Sequence, residues 1–358
     1  AEIAMTSLAP ARHVVLRSPR ERVALRLPVR TLAVVVLLVL ALLALSAVSL
    51  ATGSYGVSLN ELVETLRGIT ISRAIDNVVW EFRFPRTLAA AIVGAMMALS
   101  GAALQTVTRN GLADPSLVGV SQGAALAVVA VTVLFPQLGP IYRPWLAFGG
   151  SILVALLIQW LSHTREGGNA IRFILMGLGV SALISSITSA LMTYGQIDRA
   201  LAALAWLARS INAATWADVG TLAGWSAVLL PALLVISRAM AAMRMGEAAA
   251  IGLGAPVRLV RPALVTLAVG FAAVATSVVG PLGFVGLIAP HAARRLAHAG
   301  MALHLLLTAL IGALLVSAAD LVGRAAFAPI QIPAGLLTAL IGVPIFVVLL
   351  ARAQARPQ

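Results

Sequence analysis

Residues 262–293 read PALVTLAVGFAAVATSVVGPLGFVGLIAPHAA and contain no charged side chain. A transmembrane helix needs about 20 residues, so this run is too long for one crossing and short for two. Gly280-Pro281-Leu282-Gly283 interrupts it with a strong turn signal. The run therefore predicts a full helix followed by a short one, Phe284–Ala293, and this division sets the number of crossings in the whole chain.

The remainder of the chain has the composition of a multi-span membrane protein. Of its 358 residues, 61% are hydrophobic, which is more apolar surface than a soluble domain can bury. Eight further runs are uncharged and of about membrane length: Thr31–Ala51, Thr87–Val107, Ser116–Phe135, Pro144–Ser162, Phe173–Met192, Val219–Ser237, Ala302–Ala319 and Ile332–Ala351. With the two helices of residues 262–293, they predict an all-α polytopic protein with ten transmembrane helices.

The distribution of charge sets the orientation. All 25 basic residues are arginines, and they lie between the apolar runs rather than in a compact basic domain, so we expect no nucleic-acid partner. Ten crossings with an internal N-terminus place 17 arginines inside and eight outside, whereas a single crossing over 262–293 would give 14 and 11. The positive-inside bias predicts ten crossings with both termini cytoplasmic.

The chain divides into three parts. Residues 1–30 form a basic cytoplasmic arm, residues 31–352 form the transmembrane domain, and residues 353–358 form a cytoplasmic tail. Between the spans, Trp206 and Trp216 belong to an outer loop, and we expect their indole rings at the membrane interface. Gly94, Ala98 and Gly101 in the second run are interpreted as helix-packing residues.

Two residue types are missing, and each absence excludes a class of chemistry. Without cysteine there is no disulfide, thiolate metal site or cysteine nucleophile. Without lysine the chain has no Walker P-loop, because that loop needs Lys to reach the phosphates. If ATP drives this protein, a partner must bind the ATP and Mg²⁺, and we expect no cofactor in this chain.

A polar connector, residues 238–262, separates the sixth and seventh runs. It carries four arginines and one acid, Glu247. Its segment Glu247–Leu253 favours a helix, which Gly252, Gly254 and Pro256 end. A short helix between glycine turns suits a lever on which another protein acts. The pattern is equally compatible with an ordinary cytoplasmic loop.

Three long motifs occur in order: FRFPRTLAAAIVG at 82–94 with SGAALQTVTRNGLADPSLVGVSQGAALA at 100–127, GPLGFVGLIAPH at 280–291, and PAGLLTALIGVP at 333–344. They closely resemble the FecCD family, the permease subunits of ABC importers for iron–siderophores, haem and cobalamin. The resemblance extends over roughly residues 30–352. It implies the type II ABC importer permease fold and an inner (plasma) membrane location.

The resemblance also implies partners. These are a second permease subunit, identical or paralogous, two cytoplasmic ABC ATPase subunits, a periplasmic or lipid-anchored substrate-binding protein, and membrane lipid. In such importers the loop between the sixth and seventh helices, here 241–261, couples to the ATPase. The implied coupling residues are Met243, Arg244, Gly246, Glu247, Gly252, Leu253, Gly254 and Arg258.

On the outer side, the resemblance implies that Arg83, Arg86 and Arg324 dock the binding protein. A guanidinium binds a carboxylate through two hydrogen bonds and resists desolvation better than an ammonium group. The alternative is headgroup anchoring or, for Arg324, a helical pair with Asp320 at i, i+4.

Two further sites follow from the resemblance. The cytoplasmic gate would include Asn110, Leu112, Ala170 and Ile171, with Gly111 where the family commonly has proline. The fifth helix would line the translocation path through Ser181, Ser185, Ser189 and Met192. The alternatives are a plain helix–turn–helix connector for the first and close helix packing for the second.

The function expected from these features is import of a ferric-siderophore-type chelate, with haem and cobalamin as alternatives within the family. An ion-coupled secondary transporter usually places a carboxylate in mid-membrane, and no predicted span contains one. His291, His298 and His304 are interpreted as interfacial or structural rather than as haem or metal ligands. Transport is not covalent catalysis, so we expect no enzyme activity, no catalytic residues and no metal site in this chain.

Overall fold

A computed structural model of the protein describes residues 13–17, 24–53, 55–69, 72–162, 170–207, 211–297, 300–326 and 331–354. Two short antiparallel strands, β1 (His13–Arg17) and β2 (Ala24–Pro28), pair within the predicted N-terminal arm. Apart from this hairpin, the described elements are helical.

The helices are α1 (Val29–Ala51), α2 (Leu59–Leu66), α3 (Arg73–Asn77), α4 (Phe84–Thr108), α5 (Val120–Leu134), α6 (Arg143–Ser162), α7 (Ala170–Tyr194), α8 (Ile197–Leu207), α9 (Trp216–Val235), α10 (Ser237–Met243), α11 (Glu247–Gly252), α12 (Val257–Val279), α13 (Val285–Leu296), α14 (Met301–Ala325) and α15 (Ala334–Gln354). A π-helical segment, Val78–Arg83, joins α3 to α4. Short 3₁₀ turns lie at Pro115–Val118, Pro140–Tyr142 and Ile211–Ala213.

Every uncharged run coincides with a helix, which confirms the predicted helical membrane fold. Within the described ranges, seven helices are long and apolar enough to span a bilayer: α1, the continuous 36-residue helix Arg73–Thr108, α6, α7, α9, α12 and α14. The apolar segments Val120–Leu134 and Ala334–Val348 are shorter, and α13 has 12 residues. Ten crossings therefore require these three shorter helices as well, and the number remains a prediction.

The predicted division of residues 262–293 is confirmed. Helix α12 ends at Val279, Gly280 has φ 79°, and α13 begins at Val285. Phe284 caps α13 with φ 67°, a left-handed conformation that is uncommon for a residue with a side chain. Gly342 of α15 makes room for it, because a Cβ built there would lie 2.3 Å from the Phe284 Cβ.

Helix α4 forms the centre of the bundle and packs against α12, α13 and α14. Its glycines permit this close approach. A Cβ on Gly94 would lie 2.2 Å from the Gly312 carbonyl oxygen, and one on Gly101 would lie 1.9 Å from that of Gly286. Ala98 contributes to the same contact, since its Cβ lies 2.4 Å from the position a Cβ on Gly312 would take. The packing role predicted for these three residues is confirmed.

The two tryptophans of the outer loop lie in different environments. Trp216 is exposed, stacks on Phe84 and donates a 2.8 Å hydrogen bond to the Trp80 carbonyl oxygen. Trp206 is buried and packs in one cluster with Ala124, Val128 and Ala147. The interface prediction is therefore wrong for the Trp206 indole, because the face of α8 that carries it packs against α5 and into the cluster with Ala147.

Candidate functional site

The connector between α9 and α12 has the predicted form of a short helix between glycine turns. Helix α11 begins at Glu247, directly after Gly246 (φ 113°), and its end is followed by Gly254 (φ 77°). Both angles lie in a region that side-chain-bearing residues rarely adopt, so glycine fixes where the helix starts and stops. Gly252 is the last helical residue and Leu253 the C-cap.

The connector has a buried and an exposed side. Met243 and Ala250 are buried in the main core cluster. On the other side Met245, Ile251 and Leu253 are 64%, 60% and 64% exposed, and none of them belongs to a membrane-spanning candidate. Arg244 and Arg258 are also exposed. Apolar side chains grouped outside the candidate spans and flanked by cations are typical of a surface that binds another protein.

Glu247 links this connector to two membrane helices. Its Oε2 accepts from Arg261 Nη2 of α12 at 3.0 Å and from Arg109 Nη2, at the end of α4, at 3.4 Å. The carboxylate side chain is 46% exposed, so each pair contributes little to stability, about 0–1 kcal/mol. Its significance is positional: one carboxylate on α11 contacts two other elements, the end of α4 and α12.

Arg109 also opens the turn predicted as a gate. It caps α4 with φ 51°, and the Asn110 Oδ1 accepts from the Leu112 N–H at 2.9 Å. Leu112 packs against the cluster of Leu287 and Ile288 on α13. The structure thus holds Asn110 and Leu112 in a defined turn, while their role as a gate remains a prediction. Ala170 and Ile171 begin α7, and only their backbone lies within the described structure.

A second contact holds the far end of the same turn. Gln105 of α4 donates to the carbonyl oxygens of Gly286 and Ala113 at 3.1 and 3.4 Å. Its Oε1 accepts from Arg294 Nη1 of α13 at 2.9 Å. The turn is therefore connected to α13 at one end and, through Arg109, to α11 at the other.

On the opposite side of the bundle, the three arginines predicted to dock a binding protein are buried and have partners within the chain. Arg83 donates to the carbonyl oxygens of Leu50 and Ala51 at 2.7 and 3.1 Å. Arg324 donates to the carbonyl oxygens of Thr52 and Ser49, at the same end of α1. These carbonyls lie at the C-terminus of α1, where cations are favoured by the helix dipole.

Arg86, the third arginine, binds Asp320 of α14. Sequence reasoning noticed Asp320 only as the i, i+4 neighbour of Arg324, and that pair is present at 3.7 Å. It missed Arg86, which lies 234 positions away in the chain and forms the closer pair at 2.9 Å. Docking by these arginines remains a prediction, and it would require them to exchange the partners they have here.

The predicted path residues do not share one environment. Ser181 is buried, and its Oγ would lie 3.1 Å from a Cβ built on Gly119. Ser185 and Ser189 are exposed and Met192 is half-buried. Ser181 thus belongs to a helix contact, and the two exposed serines are free to face either a path or a second subunit.

The histidines are on separate elements. His291 is on α13, His304 is buried in α14, and His298 lies outside the described residues. In the part of the chain that the structure describes, no three His, Asp or Glu residues are grouped so as to hold a metal ion.

Comparison with known proteins agrees with this architecture. The FecCD transport family profile matches residues 37–352. The Fe(3+)-citrate import system permease protein YfmE of Bacillus subtilis is 35% identical over 332 residues, 92% of this chain and 97% of the relative. The ferric enterobactin transport system permease protein FepG of Escherichia coli is 35% identical over 322 residues, 90% of this chain and 96% of the relative.

A solved inward-facing structure of a metal-chelate type ABC transporter superposes with a TM-score of 0.78 at 27% identity. The superposition covers 90% of this chain and 99% of the chain in that structure. The profile match extends over most of the sequence and both permease relatives align nearly end to end. The chain therefore belongs to the FecCD transport family.

Proposed function

We propose that this chain is the permease subunit of an ABC importer that moves a ferric-siderophore-type chelate across the inner membrane, driven by separate ATPase subunits. The supporting relatives are permeases named for ferric citrate and ferric enterobactin. Haem and cobalamin are the alternative cargoes, and no feature of the described residues favours them.

In this proposal both termini are cytoplasmic and the chain crosses ten times, using α5, α13 and α15 in addition to the seven longer spans. The arginine distribution supports this arrangement, because α10 and α11 then lie inside with Arg238, Arg244, Arg258 and Arg261. The Arg83, Arg86 and Arg324 cluster then lies outside, together with α2 and α8.

The observation that carries the proposal is α11. It is a short helix with glycine turns on both sides, and exposed apolar residues lie on it and directly beside it, outside every candidate span. ATPase subunits that bind this surface and move on nucleotide binding would displace α11 and reorient the bundle, as in any two-state transporter biased by contacts made in only one state.

The same structure disfavours an ion-coupled carrier. Asp320, near the C-terminal end of α14, is buried and is paired with Arg86 and Arg324. A coupling ion needs a carboxylate that it can occupy and leave, whereas this one already has two guanidinium partners.

The test is transport by the complex reconstituted in liposomes with its ATPase and binding-protein partners. We expect ATP-dependent uptake of a radioactive ferric siderophore that an ionophore collapsing the ion gradients does not abolish. Haem and cyanocobalamin are the matched alternative cargoes. Uptake by the permease alone, or uptake that the ionophore abolishes, would contradict the proposal.

A further inference from the structure

We infer that Glu247 is a positioning residue that transmits movement of α11 to the turn at Arg109–Asp114. The inference rests on the proposed function, since it names how displacement of the connector would reach the inner end of the path. Its physical basis is the fork made by one carboxylate oxygen with Arg109 and Arg261.

The two arms of the fork lead to different elements. Arg261 is on α12, which directly follows the connector, so this arm holds α11 against its own neighbour in sequence. Arg109 lies 138 positions away from Glu247, at the junction of α4 and the turn. Of the two arms, the Arg109 arm is the one that reaches the turn, whose other end is held from α13 through Gln105.

The backbone conformation of Arg109 places the ion pair with Glu247 at the exact point where α4 ends and the turn begins. Its φ of 51° is a left-handed conformation that a residue with a side chain rarely adopts, and it ends α4. A force on the guanidinium therefore acts at the residue where helix changes to turn. The next side chain, Asn110, orders the turn by accepting from the Leu112 N–H.

Charge explains why the fork depends on the carboxylate. Glu247 is the one acid of residues 238–262, which also hold four arginines. If its charge is removed, Arg109 and Arg261 lose their common counter-ion and repel each other. The fork is partly exposed, so it forms and breaks easily, as a contact must if it exists in only one of two transport states.

The first test is a double-mutant cycle on the number of chelate molecules transported per ATP hydrolysed by the reconstituted complex. We expect Glu247→Gln and Arg109→Gln each to lower this ratio about two- to fivefold, the range open to an exposed ion pair. The double variant should fall no further than the worse single variant, because both changes break the same Glu247–Arg109 contact. Additive losses, or a ratio unchanged in either single variant, would overturn the inference.

Two matched variants separate coupling from general effects. Arg295→Gln removes an exposed arginine on α13, outside the fork, and should leave the ratio at the wild-type value. Arg261→Gln breaks the arm to α12 and leaves the Arg109 arm in place, so it should lower the ratio less than Arg109→Gln. A larger loss in Arg261→Gln than in Arg109→Gln would show that Glu247 acts through α12 rather than through the turn, and would overturn the inference.

The second test measures movement directly and needs no chelate. The chain has no cysteine, so spin labels can be placed through Ala249→Cys on α11, Gly111→Cys in the turn and Glu64→Cys on α2 as the outer reference. Trapping the partner ATPases with ATP and vanadate should change the 249–64 and 111–64 distances together. With Glu247→Gln added, only the 249–64 distance should change.

If the 111–64 distance changes as much in the Glu247→Gln background as in the wild type, the inference is overturned, whichever chelate is the cargo. The proposed function fails separately, if the wild-type complex moves α11 on nucleotide trapping but imports none of the three chelates.

Discussion

Arg86 and Asp320 form a bidentate ion pair that joins the N-terminal end of α4 to the C-terminal end of α14. The Arg86 Nη2 lies 2.9 Å from Oδ1, and Nε lies 3.0 and 3.1 Å from the two carboxylate oxygens. Asp320 is 2% exposed, and Arg324 approaches the same carboxylate at 3.7 Å. One buried acid is therefore the shared counter-ion of two buried guanidinium groups, and the pair is part of the fold as well as of the predicted docking surface.

Replacing Asp320 with Asn should destabilise the protein strongly. The change leaves Arg86 and Arg324 buried without a counter-ion, which costs about 3–5 kcal/mol when one partner of a buried pair is removed. The measurement is thermal unfolding in detergent, followed by tryptophan fluorescence. Glu64→Gln, which removes an exposed acid on α2, is the control and should leave the melting temperature unchanged. A melting temperature unchanged in Asp320→Asn would show that the pair does not support the fold.

The close contact between α4 and α14 gives a second prediction. Gly94→Ala should lower the melting temperature, because its Cβ would lie 2.2 Å from the Gly312 carbonyl oxygen and the helices would have to separate. Such overpacking costs about 1–3 kcal/mol. Gly220→Ala on α9 has nothing within 4 Å and is the matched control. It should be neutral or slightly stabilising, since Ala is the better helix former. Equal effects of the two changes would contradict the packing argument.

The features that could be predicted from the sequence are those carried by adjacent residues. The uncharged runs gave the helices because span length and charge exclusion are local properties. The division of residues 262–293 was predictable because Gly280-Pro281 signals a turn whatever surrounds it. The short helix α11 was predictable because Glu247–Leu253 is a run that favours a helix and is ended by glycines and Pro256.

The features that could not be predicted depend on which helices become neighbours. Arg86 and Asp320 lie 234 positions apart, and nothing in either local segment signals the pair. Trp206 was misplaced because an indole in an outer loop fits the membrane interface and a bundle interior equally well. The Glu247–Arg109 contact was missed for the same reason, although both residues belong to regions that the motifs had singled out.

Stability should depend on pH through Asp114, the buried acid in the turn between α4 and α5. Burial raises the pKa of its carboxyl, against the lowering effect of hydrogen bonds from Ser116 and of the Leu287 backbone. A carboxyl whose pKa is higher in the folded state than in the unfolded state stabilises the fold at low pH. This contribution is lost as the pH rises through the folded-state pKa.

Asp114→Asn should therefore melt higher than the wild type at pH 8, where the buried charge is removed, and the difference should shrink as the pH falls towards 4. The Asn Oδ1 can still accept from the Ser116 N–H, which the native Oδ1 contacts at 2.9 Å. Melting curves of both proteins across this pH range provide the measurement, with Asp76→Asn on α3 as the control. A difference that grows on acidification would contradict the assigned direction.

The exposed face of α11 should carry the affinity for the ATPase partner. Ile251 and Leu253 are 60% and 64% exposed and contribute little to the core, so Ile251→Ser with Leu253→Ser should leave the melting temperature unchanged. Truncation of a hot-spot side chain costs more than about 1 kcal/mol, and we expect these two exposed anchors to be hot spots, so binding of the ATPase subunits should weaken by about tenfold or more. Binding of purified ATPase to immobilised permease measures this change.

Ile197→Ser on α8, where the native side chain is 74% exposed, is the matched control for removal of surface apolar area. If it weakens ATPase binding as much as the α11 pair does, the effect arises from general surface polarity or from the detergent. If neither change affects binding, the ATPase binds elsewhere on the chain, and the exposed apolar residues at α11 do not form its binding surface.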